Sequence, residues 1–481
     1  MDRLNGNGLS TNNYKEALTH RVFGVVRDIV AETGQPAFVI GGFVRDLLLG
    51  IPSQDIDIVV QGSGIELAQA VHGRFRGSHL SVFKNFGTAQ VKMGPAEIEF
   101  VGARKESYRS DSRKPIVEDG TIDDDQKRRD FTINALALSL NPETYGDLVD
   151  PFGGIDDLHN GIIRTPLDPD ITFSDDPLRM LRGIRFATRL QFTIDDATLE
   201  GMKRMASRIE IISQERITEE LMKSMETAAA PSLAWKLLDK VGLLKFILPE
   251  LSALKGVDKR GRFAHKDVFY HTMQVLDGVA ALSDDVWLRW AALFHDIGKP
   301  RTKRFEEGIG WTFRNHNYVG AKMLPKIFTR MKLPLGEPLK FVQKMVNLHM
   351  RPIVLSEDVV TDSAVRRVLF EAGDDIEKLM TLCECDITSR NEEKVQRFLR
   401  NFKIVRRKMK EIEEKDHIRN FQPPITGEEI MKTFAIPPSP PVGIIKEAIK
   451  EAILDGVIHN DYHEARVLMY SEAEKLGLKP A

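Results

Sequence analysis

The chain has 481 residues, of which 42% are hydrophobic and 29% charged, a composition typical of a soluble globular protein with three or four domains. Lys and Arg number 68 against 70 Asp and Glu, so the net charge of −2 excludes a global basic field, and binding to RNA would need local basic patches. Two cysteines, Cys383 and Cys385, exclude a disulfide framework, and no run reaches the ~18 apolar residues of a membrane span, so we expect no disulfide partner, no membrane contact and a cytoplasmic location.

Two carboxylates, those of Asp55 and Asp57, lie two positions apart on one predicted strand near residue 60. The elements predicted here are a disordered stretch at 1–13, a helix at Tyr14–Thr33, a strand at Ala37–Ile40, a helix at Phe43–Leu49 and a strand at Gln54–Val60. Side chains alternate along a strand, so Asp55 and Asp57 point to one face. Because adjacent carboxylates repel each other unless a cation lies between them, the pair indicates a divalent metal site.

A Gly pair and an Arg lie between these two strands. Gly41 and Gly42 let backbone N–H groups approach an anion, and Arg45 is a donor for phosphate. Each feature alone is more typical of a turn or of a solvated strand end. Together with Asp46, however, G-G-x-V-R-D followed by D-I-D resembles the signature of the polymerase-β-like nucleotidyltransferases, in the class that contains bacterial CCA-adding enzymes and poly(A) polymerases. The resemblance implies nucleotide binding at these four residues and two-metal catalysis with Mg²⁺ on the strand aspartates.

A third carboxylate is predicted on a later strand. Strands are expected at Leu80–Phe83, Thr88–Met93 and Glu97–Val101. The family places an acidic residue at this point, which implies a catalytic role for Glu99, although an exposed strand face explains the residue equally well. The polar segment 106–127 that follows is predicted to be a mobile loop.

The sequence R-R-D-F-T-I-N-A at 128–135 matches the second motif of the same family. Two arginines, Arg128 and Arg129, can grip a triphosphate. Asp130 and Asn134 are four apart, which would place them on one helical face, where they can bind a ribose 2′-OH and select ribonucleotides. Alone, Arg-Arg-Asp is more typical of a surface ion pair.

A helix beginning after Ser174, its predicted N-cap, carries several arginines on one side. Its apolar stripe and its basic stripe consist of Met180, Leu181, Ile184 and Ala187 on one side and Arg179, Arg182, Arg185 and Arg189 on the other. The stretch resembles the family's base-reading motif, which implies that Asp175, Asp176 and Arg179, with Arg182 and Arg185 beside them, bind the nucleotide. Asp176 and Arg179 can satisfy the Watson–Crick edge of cytosine or adenine and mismatch uracil and guanine. A plain amphipathic helix is the alternative.

A second set of motifs begins at residue 265. The dipeptide His295-Asp296, with His271 upstream and Asp386 on a later helix, resembles the HD phosphohydrolase superfamily, and His316 and His349 can extend the site to two metals. Imidazoles with carboxylates suit Mn, Fe, Ni or Mg. Such a domain would hydrolyse phosphate esters at RNA ends, or would have lost activity and hold RNA.

The whole chain therefore predicts an α+β protein: a mixed α/β nucleotidyltransferase head followed by all-α neck, HD and tail domains. The expected domains are the head at 14–160, the neck at 161–255, the HD domain at 256–395 and a tRNA-binding helical tail at 396–481, in which 397–410 is a basic helix. The leading interpretation is addition of C, C and A to the 3′ end of tRNA from CTP and ATP. The alternatives are addition of CC, of A or of a poly(A) tail, or an HD phosphohydrolase with an RNA-binding head.

Overall fold

The computed structural model describes residues 13–109, 112–227, 229–260, 263–357, 361–388, 392–416, 418–419 and 421–481. The stretch predicted to be disordered therefore lies outside the described residues, apart from Asn13, which forms a β-bridge with Asp147. The described chain divides into two compact units, one of residues 13–227 and 233–247 and one of residues 229–232 and 248–481.

The first unit contains a seven-stranded mixed sheet. Its strands are β1 (Ala37–Ile40), β2 (Asp55–Val60), β3 (His79–Phe83), β4 (Thr88–Met93), β5 (Ala96–Gly102), β8 (Ala137–Ser139) and β9 (Leu148–Val149), in the order β3-β4-β5-β2-β1-β8-β9. Only β2 and β5 pair in parallel, with Asp57 opposite Glu99; the other neighbours are antiparallel. Outside this sheet lie β6 (Arg104–Arg109), β7 (Ser112–Asp119), β10 (Ile162–Ile163) and β11 (Thr193–Ile194).

Helices cover this sheet and continue beyond it. They are α1 (Arg21–Thr33), α2 (Gly42–Leu48), α3 (Gly64–Arg74), α4 (Ile122–Lys127), α5 (Gly154–Asn160), α6 (Pro169–Asp175), α7 (Leu178–Leu190), α8 (Asp196–Met205), α9 (Gln214–Thr227), α10 (Ser232–Lys240) and α11 (Leu244–Ile247). One buried cluster joins Phe38 and Ile40 of β1 to Val59 of β2 and Ala137 of β8. Because these apolar strands are buried, the polar strand end at Asp55 and Asp57 is fixed in position.

The loop predicted at 106–127 is wrong for its described part. Strands β6 and β7 form an antiparallel hairpin, and α4 follows it. The hairpin places Arg104 opposite Asp119 and Lys105 opposite Glu118, so opposite charges pair across the strands where apolar residues are missing. Thr121 then caps α4 in a reciprocal capping box. Residues 110 and 111 lie outside the described chain.

Two predicted helix boundaries are also wrong. The predicted helix at Tyr14–Thr33 is interrupted, because Lys15–Ala17 is only a 3₁₀ turn and α1 begins at Arg21, capped by His20. Ser174 is not an N-cap but lies in the last turn of α6.

Pro177 explains the second error. A residue before proline is pushed out of the helical region, and Asp176 accordingly adopts extended φ/ψ angles of −141° and 103°. The chain therefore breaks between α6 and α7, and Asp176 Oδ1 accepts a hydrogen bond from Leu178 N at 3.1 Å.

The second unit is mainly helical, which confirms the predicted fold class. Its helices are α12 (Pro249–Ser252), α13 (Val268–Leu282), α14 (Val286–Phe294), α15 (Lys299–Thr302), α16 (His316–Arg330), α17 (Glu337–Leu348), α18 (Met350–Glu357), α19 (Asp362–Ala372), α20 (Ile376–Asp386), α21 (Glu392–Asp416), α22 (Gly427–Phe434), α23 (Pro440–Asp455) and α24 (Tyr462–Lys475). Two small hairpins join them, β12 (Lys259–Arg260) with β13 (Phe263–Ala264) and β14 (Arg304–Glu306) with β15 (Gly310–Thr312). Among the described residues, no helix is both long enough and apolar enough to span a bilayer.

The basic run 397–410 lies on α21, and several of its cations have carboxylate partners. Arg406 Nε is 2.8 Å from Glu384 on α20, and Lys408 Nζ is 3.0 Å from Asp362 on α19. These pairs attach α21 to its neighbours, so part of this charge serves packing within the second unit.

Candidate active site and a second metal cluster

A cleft of about 660 Å³ in the first unit brings together residues that are far apart in the sequence. The predicted residues that line it are Gly42, Arg45, Asp55, Asp57, Glu99, Arg128, Arg129, Asp130, Asn134, Asp176, Arg179, Arg182 and Arg185. Gly41, Asp46 and Asp175 do not line it. Asp46 is buried and pairs with Arg45 at 2.7 Å, while Asp175 ends α6.

Three carboxylates form the acidic wall of the cleft. Asp55 and Asp57 come from β2, and Glu99 comes from the register position on β5 that faces Asp57. Burial, together with the charges of Asp55 and Glu99, raises the pKa of Asp57 to about 6, although Arg129 acts in the opposite direction. Glu97, on the same strand as Glu99, instead pairs with Lys92 at 3.0 Å outside the cleft. The wall is therefore a place where a cation would relieve repulsion.

Close packing at this wall requires a glycine at the first position of the Gly pair. Gly41 has φ of +82°, and a Cβ there would lie 2.8 Å from Arg129 Nη1 and 3.4 Å from Asp57 Oδ2. No other residue type combines this backbone conformation with the available space. The Gly-Gly turn thus brings the backbone next to both the acidic wall and the arginine.

Both arginines of the second motif are held by one buried carboxylate, Asp125, which was not among the predicted site residues. Its Oδ1 accepts from Arg128 Nε at 3.0 Å, and its Oδ2 accepts from Arg129 Nη2 at 3.1 Å. Burial alone would raise the pKa of Asp125, but the two guanidiniums hold it below its ordinary value. In the sequence, this contact is indicated only by spacing, because Asp125 precedes Arg128 by three residues and Arg129 by four.

Asp130 and Asn134 do not share a helical face, because Thr132–Asn134 is a single 3₁₀ turn. Instead the two side chains bind each other, with Asn134 Nδ2 donating to Asp130 Oδ1 at 3.0 Å. Arg182 Nε donates to the other oxygen of Asp130 at 2.7 Å, and Arg45 Nη1 donates to Asn134 Oδ1 at 2.7 Å. Burial opposes ionisation of Asp130, but Arg182 and Asn134 outweigh it and lower its pKa to about 2.

The basic stripe of α7 faces the cleft, and its apolar stripe is buried. Arg179 donates to two backbone carbonyls, those of Arg128 at 2.8 Å and Thr172 at 3.3 Å. Arg185 Nε pairs with Glu220 of α9 at 2.5 Å. The guanidiniums of Arg179, Arg182 and Arg185 are therefore held by fixed partners.

The second unit contains a separate cluster of four imidazoles and two carboxylates. Two groups could each hold a metal ion: His271, His295 and Asp386, and Asp296, His316 and His349. The carboxylate of Asp296 joins them, because Oδ2 lies 3.3 Å from His295 Nε2 and Oδ1 lies 3.2 Å from His316 Nε2. Lys299 Nζ approaches the same carboxylate at 2.6 Å.

Backbone carbonyls orient three of these imidazoles. The Nδ1 atoms of His295, His316 and His349 lie 2.7, 2.8 and 2.7 Å from the carbonyl oxygens of Ala292, Phe313 and Val346. Nδ1 therefore donates and Nε2 points into the cluster, as in a metal-ligating histidine. Nε2 of the fully buried His295 has no partner in hydrogen-bonding geometry.

Charge within the cluster shifts the pKa values strongly. Burial lowers the pKa of His295, but Asp296 and Asp386 outweigh it and raise the value to about 10. His349, where burial dominates, has its pKa lowered to about 4. The pKa values of both carboxylates are depressed by His295 despite their burial. Cys383 and Cys385, on the helix that carries Asp386, are both free thiols.

Three protein families match the chain in order. The Poly A polymerase head domain matches residues 37–164, the probable RNA and SrmB-binding site of polymerase A matches residues 191–255, and the HD domain matches residues 268–391.

Similar proteins cover most of the chain. The A-adding tRNA nucleotidyltransferase of Deinococcus radiodurans is 30% identical over 91% of this chain and 96% of its own length. The multifunctional CCA protein of Xylella fastidiosa is 32% identical over 74% of this chain and 84% of its own length. Among solved structures, the Thermotoga maritima CCA-adding enzyme complexed with tRNA has a TM-score of 0.61 over 95% of this chain and 98% of its own, at 22% identity, which shows a common fold.

Proposed function

This chain belongs to the tRNA nucleotidyltransferase family with a poly(A) polymerase head, and from that premise we propose that it adds C, C and A to the 3′ end of tRNA from CTP and ATP, releasing pyrophosphate. The observation that supports this proposal most directly is the cleft, which is lined both by three carboxylates and by several arginines. Carboxylates suit a divalent ion and arginines suit a triphosphate, so the two sets of side chains match the two charged parts of the reaction.

The acidic wall fits the divalent metal ion that the family uses. Asp55, Asp57 and Glu99 offer only oxygen ligands, which favours Mg²⁺, and a cation there would remove the repulsion that raises the pKa of Asp57. When bound, Mg²⁺ would favour the ionised 3′-OH of the tRNA and stabilise the leaving pyrophosphate.

Arg128 and Arg129, which line the same cleft, are proposed to hold the triphosphate. Asp125 fixes both guanidiniums, so their remaining N–H groups are oriented before the nucleotide arrives. Gly42 and Arg45, both on α2, are proposed to bind the nucleotide together with these arginines. Asp130 and Asn134 are proposed to contact the ribose with the donors and acceptors that their mutual hydrogen bond leaves unused.

The base is proposed to be selected by Asp176 and Arg179. A carboxylate accepts from the exocyclic amine of cytosine or adenine, and a guanidinium donates to the ring nitrogen beside it. Uracil and guanine present the opposite pattern at these positions, so each leaves a buried group unpaired. The carbonyls of Thr172 and Arg128 hold the Arg179 guanidinium in one orientation, which supports its use as a fixed template.

Addition of A alone is the second candidate. It is favoured by the Deinococcus radiodurans relative, which is named as A-adding and is matched over 96% of its length. The cleft residues described above serve both reactions, because cytosine and adenine present the same donor–acceptor pair to Asp176 and Arg179.

Two tRNA substrates separate these candidates. The purified protein is incubated with Mg²⁺ and each labelled NTP on a tRNA that lacks all three terminal nucleotides and on one that already ends in CC. Extension of the first by two C and one A supports CCA addition, whereas extension of only the second by A supports the alternative. The variant Asp55→Ala, with its fold checked by circular dichroism, is the control for contaminating polymerase, and no addition by the wild type on either substrate contradicts the proposal.

The cluster of the second unit is proposed to be a metal-dependent phosphohydrolase site that acts on phosphate esters at RNA 3′ ends, including 2′,3′-cyclic phosphates. The Nε2 atom of His295, which lies near two carboxylates without a hydrogen bond to either, and the mixed imidazole–carboxylate set fit Mn, Ni, Fe or Mg. When bound, such a metal would activate water. Lys299, beside Asp296, would attract the phosphate.

A further inference from the structure

One aromatic ring in the first unit is surrounded by three guanidiniums. The Cζ atoms of Arg185, Arg45 and Arg182 lie 4.2, 4.9 and 5.6 Å from the ring centroid of Phe186 on α7. Only 4% of Phe186 is exposed, and the residue lines the cleft. The face of an aromatic ring attracts cations, and the attraction is larger where water is excluded.

Each of these guanidiniums also has its own carboxylate. The pairs are Arg45 with Asp46 at 2.7 Å, Arg182 with Asp130 at 2.7 Å and Arg185 with Glu220 at 2.5 Å. The charges of the three arginines are therefore balanced by three carboxylates. Each guanidinium contacts the ring of Phe186 in addition to its carboxylate. This arrangement allows the three arginines, of which Arg45 and Arg185 are buried, to keep fixed positions before any nucleotide binds.

The ring also closes a circuit between two elements of the cleft. Hydrogen bonds connect Arg182 of α7 through Asp130 and Asn134 to Arg45 of α2. Phe186 contacts both ends of this chain. A displacement of either arginine is therefore transmitted to the other by two routes, one through hydrogen bonds and one through the ring.

We propose that Phe186 is a positioning residue for nucleotide selection, which rests on the proposed function of the cleft. Its ring fixes the distance between Arg45, on the side that holds the phosphates, and the arginines of the base-reading helix. Correct placement of the triphosphate and correct placement of the base then become one requirement, so that a mismatched base is penalised at both ends.

Phe131 is a neighbouring aromatic residue that serves as a comparison for Phe186. It is fully buried and meets Phe186 edge to face with ring centroids 6.1 Å apart. Among the cation–π contacts of the described residues, none involves its ring. A change that weakens only cation attraction should therefore act at position 186 and not at position 131.

Stepwise fluorination tests this, because fluorine removes negative charge from the ring face while it changes ring size little. Phe186 in the full-length protein is replaced in turn by 4-fluoro-, 3,5-difluoro- and 3,4,5-trifluorophenylalanine, and kcat and KM are measured for CTP and UTP. We expect the ratio of kcat/KM for CTP to that for UTP to fall progressively, by about tenfold with three fluorines. The KM for CTP should change more than kcat, and the melting temperature should change little.

The same series at Phe131 is the control and should leave the ratio unchanged. A ratio that stays constant across the Phe186 series, in a protein that adds nucleotides normally, overturns the positioning role. Absence of addition by the wild type would instead refute the function proposed for the cleft. Phe186→Leu and Phe131→Leu form a simpler pair, in which only the first should lower the ratio, and the fluorinated series decides if Phe186→Leu does not fold.

Discussion

Replacement of Asp57 by Asn should stabilise the metal-free first unit and at the same time end nucleotide addition. Asp57 lies half-buried at the end of β2, beside Asp55 and opposite Glu99. Burial and these like charges raise its pKa to about 6, yet at pH 7.5 the group is still ionised. The folded wild type therefore contains an unfavourable charge that an amide of the same shape does not have.

The size of the effect follows from the pKa. A rise from 3.8 to about 6 corresponds to at most about 3 kcal/mol at about 1.36 kcal/mol per unit. Partial solvation reduces this, so we expect ~1–2 kcal/mol, or a melting temperature raised by about 2–6 °C for a unit of this size. Because the folded pKa is raised, the stability contributed by protonated Asp57 is present below pH ~4 and lost as the pH rises through about 6, so the advantage of the variant should be about half as large at pH 5 as at pH 7.5.

Differential scanning calorimetry in the presence of a chelator measures this difference at both pH values. Glu97→Gln is the matched control, because it removes a carboxylate that lies outside the cleft and is paired with Lys92. Added Mg²⁺ should reduce the difference, since it stabilises only a site that retains Asp57. A variant no more stable than the wild type at pH 7.5, or equally favoured at pH 5, refutes the electrostatic reasoning.

Two further substitutions test the supports of each site. Asp125→Asn should raise the KM for CTP and ATP about tenfold with a smaller change in kcat, because Arg128 and Arg129 lose their shared carboxylate, whereas Asp123→Asn, which removes only an exposed partner of Lys127, should leave steady-state kinetics unchanged. Unaltered KM in the first variant would show that Asp125 does not position the arginines. His295→Ala combined with Asp296→Ala should leave addition to a 3′-OH tRNA unchanged and abolish extension of a tRNA that ends in a 2′,3′-cyclic phosphate, measured by gel extension assays. Loss of addition to both ends would mean that this domain holds the tRNA instead.

The sequence could predict what depends on neighbours in the chain. The strand at Ala37–Ile40 is an apolar run, and the strand at Asp55–Val60 alternates Asp with Ile before two valines. Gly or turn residues bound both strands, and their observed bounds lie within one residue of the prediction. Likewise, the HD dipeptide predicted two members of a candidate metal cluster, and the structure brings them together with His316 and His349. Local spacing carries this information because the chemistry requires those residue types there.

Contacts between distant segments could not be predicted. Asp125 belongs to a run of three acids in a polar segment, a composition that indicates exposure, yet its side chain is fully buried between two arginines. Arg45 and Phe186 are 141 positions apart, and no periodicity in either segment indicates their contact. Asp130 and Asn134 have helical spacing, but their mutual hydrogen bond forms in a 3₁₀ turn, since tertiary partners overrode the local preference.

The carboxylates of the two sites have different neighbours. We therefore expect metal-dependent activity to change with pH differently at the two sites. In the cleft the proton that competes with a metal is that of Asp57, with a pKa of about 6, so at limiting Mg²⁺ addition should weaken about tenfold per pH unit below 6 and be level above 7. In the second unit His295, with a pKa of about 10, retains its proton at neutral pH, so at limiting metal hydrolysis should still rise about tenfold per unit between pH 7 and 9. Metal titrations of both activities in one preparation, at several pH values, measure the two slopes. Parallel slopes would show that the buried imidazolium is not what the metal displaces, because a proton with a pKa near 10 and one with a pKa near 6 cannot compete equally over this range.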